Sequence, residues 1–436
     1  MSIKSIIKKF IPKKLLNLRH LFYAWLGSVK YGNPSEELLV IGVTGTSGKS
    51  TTVYLLRQLL ESAGYTVGAL STIEFSVAGE HQLNDKKMTM LGKMQIQEYL
   101  RKMVDKGCNV AIVETTSEGR VQHRHRFINY DMMVLTNLYP EHIDSHGSFE
   151  NYRQAKIDLF DYTAKNRRKV LKGKTIPKIA LINRSVMGHT KFASKQFDEV
   201  QYFDGKEKLH AENITSDKDG IHFKVHEREF SAPMFGEHNA KNIVACMAIA
   251  RELDISWGTI EKAVETFHNV PGRIEFIEEA NEFGFQIIVD YAFEPVAMKR
   301  LYDVVELLQP KRILHVFGST GGGRDKARRF TLGEFIGQQA DMCFVTDEDP
   351  YEDDPMEIIQ DVASAVKKAG KRKGSNLFLM LDRRKAINKA VLRAKQGDLV
   401  LITGKGSEQA MCIKGGEMIP WDDRAIAREA LTHRKK

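Results

Sequence analysis

Lys49, Ser50 and Thr51 follow directly on a glycine-spaced run, Val40-Ile41-Gly42-Val43-Thr44-Gly45-Thr46-Ser47-Gly48, with Thr52 after them. Residues of these types in this order suit a phosphate. Glycine lets the backbone wrap closely round an anion, and the helix that follows turns its first N–H groups and its positive dipole end toward it. Gly45, Thr46, Ser47 and Gly48 form the cradle, Lys49 reaches the outer phosphates, and Ser50 or Thr51 holds a magnesium ion. Five residues separate Gly42 from Gly48, one more than is usual in such loops, with an extra glycine at 45. An apolar strand precedes the loop and a helical pattern follows it, so the run predicts a nucleoside triphosphate site.

Three further places carry groups able to do chemistry. Glu114 ends the apolar run Asn109-Val110-Ala111-Ile112-Val113, and an acid at a strand's carboxyl end beside a phosphate loop is placed to hold magnesium. The stretch from Thr136 through Asn137, Glu141, His142, Asp144 and His146 to Gly147 gathers two histidines and two acids. Their spacing matches no HExxH-type metal site, and alone they read as a polar loop. In the helical pattern that follows, Tyr152, Ala155, Leu159 and Phe160 share a face with Lys156 at its edge; alone, Lys156 reads as a solvated lysine.

The elements that must position these groups come from periodicity. Strands are predicted over 38–43, 109–114, 132–136 and 178–182, with helices over 49–63, 149–160 and 239–253. Residues 200–234 read as short alternating strands with turns at Asp204-Gly205 and Asp219-Gly220. A boundary falls at Val270-Pro271-Gly272, after which the alternation restarts. Strands are then expected over 286–290, 312–317, 341–346, 376–381 and 398–403, and helices over 295–308, 326–339, 356–368 and 383–395. The fold class is α/β: a P-loop-type central ATPase domain with a mostly parallel sheet over 37–270, and a Rossmann-like α/β domain over 271–436 that lacks the dinucleotide glycine fingerprint. Ligands are expected at the carboxyl ends of both sheets, in a cleft between the domains.

Residues 1–36 form a separate arm. Seven cations (Lys4, Lys8, Lys9, Lys13, Lys14, Arg19, Lys30) and no acid lie in residues 1–35, against a net charge of +9 for all 436 residues. The body is thus near neutral, which argues against general nucleic-acid binding. Ile3, Ile6, Ile7, Phe10 and Ile11, then Leu15, Leu18, Leu21, Phe22, Trp25 and Leu26, recur at helical spacing, interrupted at Pro12. The run is too short, and too broken by Arg19 and His20, to span a bilayer, and it lacks a signal-peptide cleavage site. Two readings stay open: a basic amphipathic helix lying on an anionic membrane through residues 1–30, or a helix packed on the body with its lysines in solvent. Cys108, Cys246, Cys343 and Cys412 form no CxxC pair and read as small core residues of a protein in a reducing cytoplasm.

Taken in order, the motifs resemble the Mur ligase family, ATP-dependent enzymes that add amino acids to the cell-wall precursor. The set is Gly-Val-Thr-Gly-Thr-Ser-Gly-Lys-Ser-Thr, Glu114, the Thr136–Gly147 loop, Tyr152-x-x-Ala155-Lys156, Gly236-Glu237-His238-Asn239-Ala240-Lys241-Asn242, Val270-Pro271-Gly272-Arg273, Val289-Asp290-Tyr291-Ala292, Phe317-Gly318 with Gly321 to Lys326, and Gly404-Lys405-Gly406-Ser407-Glu408. Within the family the tripeptide synthetases, which add the third peptide residue, are most similar. The resemblance implies that Lys49 binds the transferred phosphates and that Ser50 and Glu114 hold one magnesium. His142 would help hold a second, with a carbamylated Lys156, since a carbamate gives magnesium the oxygen ligand it prefers. Asn239 or Asn242 and Arg273 would contact the nucleotide, Asp290 the ribose side, and Lys326 the phosphates. Thr116, Gln122 and Arg124 match positions that hold the UDP-sugar-peptide acceptor. Arg329, Asp349, Tyr351, Gly404 and Glu408 match positions round the incoming amino acid. A monomer is expected.

The departures bear on substrate. The family's N-terminal UDP-binding domain has no counterpart here, where only the arm precedes the phosphate loop. Met88-Thr89-Met90-Leu91 stands where Thr-Thr-Pro is usual, and Phe293 and Ser407 replace histidines. Glu348-Asp349-Pro350-Tyr351 replaces the Asp-Asn-Pro-Arg that reads diaminopimelate, and without that arginine bidentate capture of a distal carboxylate is lost. With Glu352, Asp353 and Asp354 the loop is acidic and would suit a basic side chain such as lysine. Two alternatives are carried: another amide ligase of the superfamily, of folylpolyglutamate or poly-γ-glutamate synthase type, and a non-catalytic, membrane-attached nucleotide-binding partner.

Overall fold

The computed structural model describes residues 13–86, 88–139, 146–194, 196–205, 209–323 and 326–434. Two compact units part between Phe267 and His268, with 216–220 grouped with the second.

In the first unit β1 (Leu39–Thr44) is buried along its whole length, as its Leu-Val-Ile-Gly-Val-Thr sequence demands of a central parallel strand. It is followed by β2 (Val67–Leu70), β3 (Glu74–Val77), β4 (Glu80–Leu83), β5 (Val110–Glu114), β6 (Met132–Leu135), a short β7–β8 hairpin (Val170–Leu171, Lys174–Thr175), β9 (Ile179–Asn183) and β10 (Glu199–Phe203). Among the described residues the sheet order is β10-β9-β6-β1-β5-β2-β3-β4. Pairing is parallel from β10 to β2 and antiparallel at β3 and β4. β5 and β6 flank β1, so the loops leaving the three strands open side by side, which is where open α/β sheets take their ligands. Val43 lies opposite Glu114 and Thr44 opposite Leu135, which sets those loops in register.

The unit's helices are α1 (Lys13–Lys30), α2 (Lys49–Ser62), α3 (Lys93–Asp105), α4 (Ser117–Val121), α5 (Phe149–Lys165), α6 (His238–Glu252) and α7 (Trp257–Glu265). Ser148 caps α5 by accepting from Asn151 N, and Ser256 caps α7 by accepting from Thr259 N. β11 (Glu212–Asp217), β12 (Gly220–Val225) and β13 (Arg228–Ala232) form a separate small sheet. The hairpin expected over 200–234 is thus β11 to β13, while β10 joins the main sheet. β2, β3, β4 and α3 were not anticipated. β3 and β4 are four-residue strands, only β4 at the sheet's edge, and β4 is Glu-His-Gln-Leu, a polar strand with no alternation to read.

The second unit carries β14 (Glu275–Phe276), β15 (Gln286–Asp290), β16 (Ile313–Phe317), β17 (Met342–Thr346), β18 (Leu377–Met380) and β19 (Leu399–Thr403), ordered β14-β15-β19-β16-β17-β18. Pairing is parallel except for β14, which runs antiparallel to β15. A small β20–β21 pair (Ala410–Cys412, Met418–Pro420) follows. The helices are α8 (Pro295–Leu308), α9 (Ala327–Gln339), α10 (Pro355–Lys368), α11 (Arg383–Arg393) and α12 (Asp423–Arg434). Proline at the first helical position starts α8 and α10, and Asp354 caps α10. Apolar clusters on both faces, such as Val289, Val316 and Ile402 on one and Ile288, Val345 and Leu401 on the other, make this a two-sided α/β sheet. All four cysteines are buried. No helix among the described residues is long and apolar enough to cross a membrane.

Candidate active site

The phosphate loop leaves β1 at Thr44 and enters α2 at Lys49. Two glycines are needed there by contact. A β-carbon at Gly45 would lie 2.0 Å from Thr136 Oγ1, and one at Gly48, whose φ is +73°, would lie 2.4 Å from Asn242 Oδ1. Asn137, just beyond β6, belts the loop. Its side-chain oxygen accepts from Thr46 N at 3.0 Å and Ser47 N at 2.9 Å, and its amide nitrogen donates to Ser47 O at 3.0 Å. Thr136 Oγ1 adds a bond to Ser47 O at 3.0 Å. Lys49 Nζ folds back onto Thr46 O at 2.9 Å.

Ser50 and Glu114 meet: the Ser50 hydroxyl donates to Glu114 Oε1 at 3.0 Å. The other carboxylate oxygen accepts from Thr72 N at 2.8 Å and Thr72 Oγ1 at 3.1 Å, fixing the group at the end of β5. A hydroxyl and a carboxylate at this separation form a hard-oxygen pair of the kind magnesium takes beside phosphates. Lys156 is not a surface lysine. It is buried beneath the loop, donating to Gly45 O at 2.8 Å, with its ammonium 4.6 Å from the centre of the Tyr152 ring. Tyr152 OH in turn donates to Thr46 Oγ1 at 3.1 Å. His142 lies outside the described residues. Asn239 and Asn242 stand on the first turns of α6, joined by Asn242 Nδ2 to Asn239 Oδ1 at 3.1 Å, and Asn242 meets Gly48. Asn239 is further held to Phe235 O at 2.7 Å. The fold therefore brings Lys49, Ser50, Glu114, Lys156, Asn239 and Asn242 together round one loop. Asn137 and Tyr152, which brace that loop, are not among the site residues expected from sequence; their place inside the resembling motifs is the signal that marks them.

Thr116 caps α4, accepting from Gly119 N at 2.9 Å. Arg124 donates to Gln122 Oε1 at 2.7 Å and to Met90 O, so the unusual Met88–Leu91 segment forms part of its surroundings. Burial pulls the Arg124 pKa down from its ordinary value.

In the second unit Asp290 ends β15, and its carboxylate accepts from Ile274 N at 2.7 Å and Ala292 N at 2.6 Å. Burial raises its pKa, against the pull of Arg273 and of these amides. Arg273 lies 4.4 Å over the Tyr291 ring. Lys326 precedes α9, exposed, 3.8 Å from Glu357. Arg329 is buried between Asp353 at 3.0 Å and Asp361 at 2.9 Å.

Most acids of the acidic loop have partners within the second unit. Asp349 is chelated by Lys405 Nζ at 2.9 Å to each oxygen and accepts from Cys412 N at 2.6 Å. Asp353 pairs with Arg329, Asp354 accepts from Met356 N at 2.7 Å, and Glu352 accepts from Gly415 N at 3.0 Å. Glu348 differs. It is buried against Gly404, where φ is +107° and a β-carbon would lie 2.2 Å from Glu348 Oε2. Burial raises the Glu348 pKa to about 7, with Asp349 adding to the rise and Arg383 and Lys405 opposing it. Glu408 accepts from Lys405 Nζ and from Tyr291 OH, the latter at 3.2 Å. Tyr351, φ +51°, packs beside Gly322. Glu348, Asp349, Lys405 and Glu408 thus cluster at the carboxyl ends of β17 and β19.

Comparison with known proteins places both units. Residues 43–250 match the family model described as the Mur ligase middle domain, and residues 272–406 the Mur ligase glutamate ligase domain. The chain is 34% identical over 416 residues to a UDP-N-acetylmuramyl-tripeptide synthetase of Roseiflexus sp. (strain RS-1), covering 93% of this chain and 81% of that one. It is 30% identical over 416 residues to a UDP-N-acetylmuramoyl-L-alanyl-D-glutamate–2,6-diaminopimelate ligase of Clostridium perfringens, covering 94% and 81%. Its fold matches a solved 2,6-diaminopimelate ligase structure with a TM-score of 0.61 at 24% identity, over 92% of this chain and 79% of that one.

Proposed function

The chain belongs to the Mur ligase family, an ATP-dependent carboxylate–amine ligase by that membership, and from this premise we propose how its residues divide the work. The acceptor is a UDP-N-acetylmuramoyl-peptide, whose terminal carboxylate attacks the γ-phosphate of ATP. An acyl phosphate and ADP result; a neutral amine then attacks the acyl carbon, and the tetrahedral intermediate expels phosphate. Activation is needed because a carboxylate is a poor electrophile.

The observation that carries this reading is the Ser50–Glu114 contact beside Lys49 and above buried Lys156, all round one glycine loop. Magnesium, when bound, offsets charge on the transferring phosphoryl group. Ser50 and Glu114 would hold one ion. Lys49, released from Thr46 O, neutralises the outer phosphates. Asn137, which takes up the Thr46 and Ser47 N–H groups, holds the loop in its cradle shape for the phosphates. We assign Lys156 as a carbamate that, with His142, completes a second ion's ligands. A carbamate keeps one N–H, enough for the bond to Gly45 O, and turns a buried cation into an oxygen ligand. Thr116, Gln122 and Arg124 are assigned to the acceptor, Asn239, Asn242, Arg273, Asp290 and Lys326 to the nucleotide.

The incoming amino acid is assigned a basic side chain. Tyr351 offers no guanidinium for a distal carboxylate, and Glu348 is a desolvated carboxylate beside Asp349. Dependence on ATP favours a cytoplasmic location. Two variants test the assignment. Lys49→Ala is expected to abolish ligation, and Lys156→Glu, which supplies an oxygen anion, to retain more activity than Lys156→Ala. Full product formation by Lys49→Ala would refute the phosphate role; equal loss in both Lys156 variants would refute the carbamate.

A further inference from the structure

Helix α1 is the one motif of the sequence that the ligase chemistry leaves unused. It is fixed to the first unit by small residues. Ala24, Gly27 and Ser28 are buried, and a β-carbon at Gly27 would lie 3.1 Å from Met94 Cα at the start of α3. Just past the helix, Tyr31 O accepts from Arg101 Nε at 3.0 Å.

A helix packed on the body by its apolar stripe would bury Leu18, Phe22, Trp25 and Val29, which follow one another at helical spacing. The reverse holds. Leu18 is 64% exposed, Phe22 53%, Trp25 46% and Val29 51%, and Leu21 and Tyr23 are exposed beside them. The Phe22 ring lies 5.8 Å from that of Tyr23 and 5.9 Å from that of Trp25, so the side chains form a continuous aromatic surface. A contiguous patch of this kind marks an interaction site.

Charge decides the partner. Seven cations and no acid lie in residues 1–35, and Arg19 and Lys30 share one flank of the stripe. The field extends onto the body: Lys93, at the start of α3, is pushed down to about 8 by burial, then by Arg124 and Arg19. A second copy would set these cations against their own kind. An anionic lipid surface neutralises them, takes the apolar side chains at the acyl boundary and leaves the long basic side chains at headgroup level. We propose that α1 lays its Leu18-Phe22-Trp25-Val29 face on a membrane surface rich in anionic lipid. This holds independently of the ligase assignment.

The test is sedimentation of the full chain with vesicles of phosphatidylcholine alone or mixed with phosphatidylglycerol. Binding is expected to the mixed vesicles only, to weaken at high salt, and to fall about tenfold or more in a Leu18→Ser/Phe22→Ser/Trp25→Ser variant. That variant should keep the wild-type thermal midpoint, since the replaced side chains are exposed. Equal binding to both vesicle types, equal binding by the variant, or no binding would overturn the proposal. So would concentration-dependent self-association that the triple variant abolishes, which would give the face to a second copy. Ligation of a water-soluble acceptor should be the same in both proteins, so failure here is separable from failure of the ligase reading.

Discussion

Glu348 is a residue whose chemistry its position alters. Its neighbours in sequence are acids, and nothing local says that Gly404 will close over it. The pKa of about 7 exceeds the ordinary glutamate value of 4.5, so the folded protein binds this proton more tightly than the unfolded chain does. The stability it contributes is fully present below about pH 4.5 and is lost as pH rises through about 7. Glu348→Gln therefore should melt at the same temperature as wild type near pH 4.5 and at a higher one at pH 8, by up to about 3 kcal/mol of stability. If Glu348 receives the ammonium of the incoming amino acid, the same variant raises the KM for that substrate with a smaller change in kcat. A pH-independent difference in melting would show that the carboxylate is not desolvated as described. Lys156 makes the same point about legibility. Helical spacing put it at a helix edge, where lysines are solvated, and only the family resemblance singled it out. Its burial comes from the loop that closes over it, more than a hundred residues earlier in the chain.

At the scale of elements, the phosphate loop was legible because strand, glycines and helix are contiguous, and each glycine has a reason in the structure. Gly48→Ala should weaken nucleotide binding and lower the melting temperature, since it combines a left-handed φ with a 2.4 Å approach to Asn242. The steric part should be relieved in the Gly48→Ala/Asn242→Ala double variant, giving a non-additive cycle in stability. Strict additivity would separate Asn242 from the loop. The short strands β3 and β4 were not legible, because they are four residues long and β4, at the sheet's edge, is polar. Helix α1 was legible as amphipathic, yet which face meets the body was not. Burial of Ala24, Gly27 and Ser28 depends on a close approach to α3 that only the tertiary structure supplies.

At the scale of the whole molecule, the two α/β units and most of their long elements, α3 and α12 excepted, followed from alternation of buried strands with helical periods, since parallel sheets covered on both faces leave that signature. What the pattern could not give is which loop ends converge, for that is a matter of strand order. β1 lies between β5 and β6, though all of β2 to β4 separate them in sequence, and this is what joins Ser50 to Glu114 and Asn137 to the loop. A folded site of this kind predicts linkage: MgATP at about a hundred times its Kd should add about 2.7 kcal/mol to the stability of whatever unfolds with the first unit. An unchanged melting curve with saturating MgATP would remove the nucleotide site.

The central claim, that the molecule activates a carboxylate for capture by an amine, is tested most directly by ADP release and product mass with UDP-N-acetylmuramoyl-dipeptide, magnesium, ATP and a panel of amino acids. The account predicts ADP formed one for one with a product heavier by a single amino-acid residue, only when acceptor and amine are both present, and best with a basic side chain. ADP release that ignores acceptor and amine, or no nucleotide consumed with any of them, would contradict it.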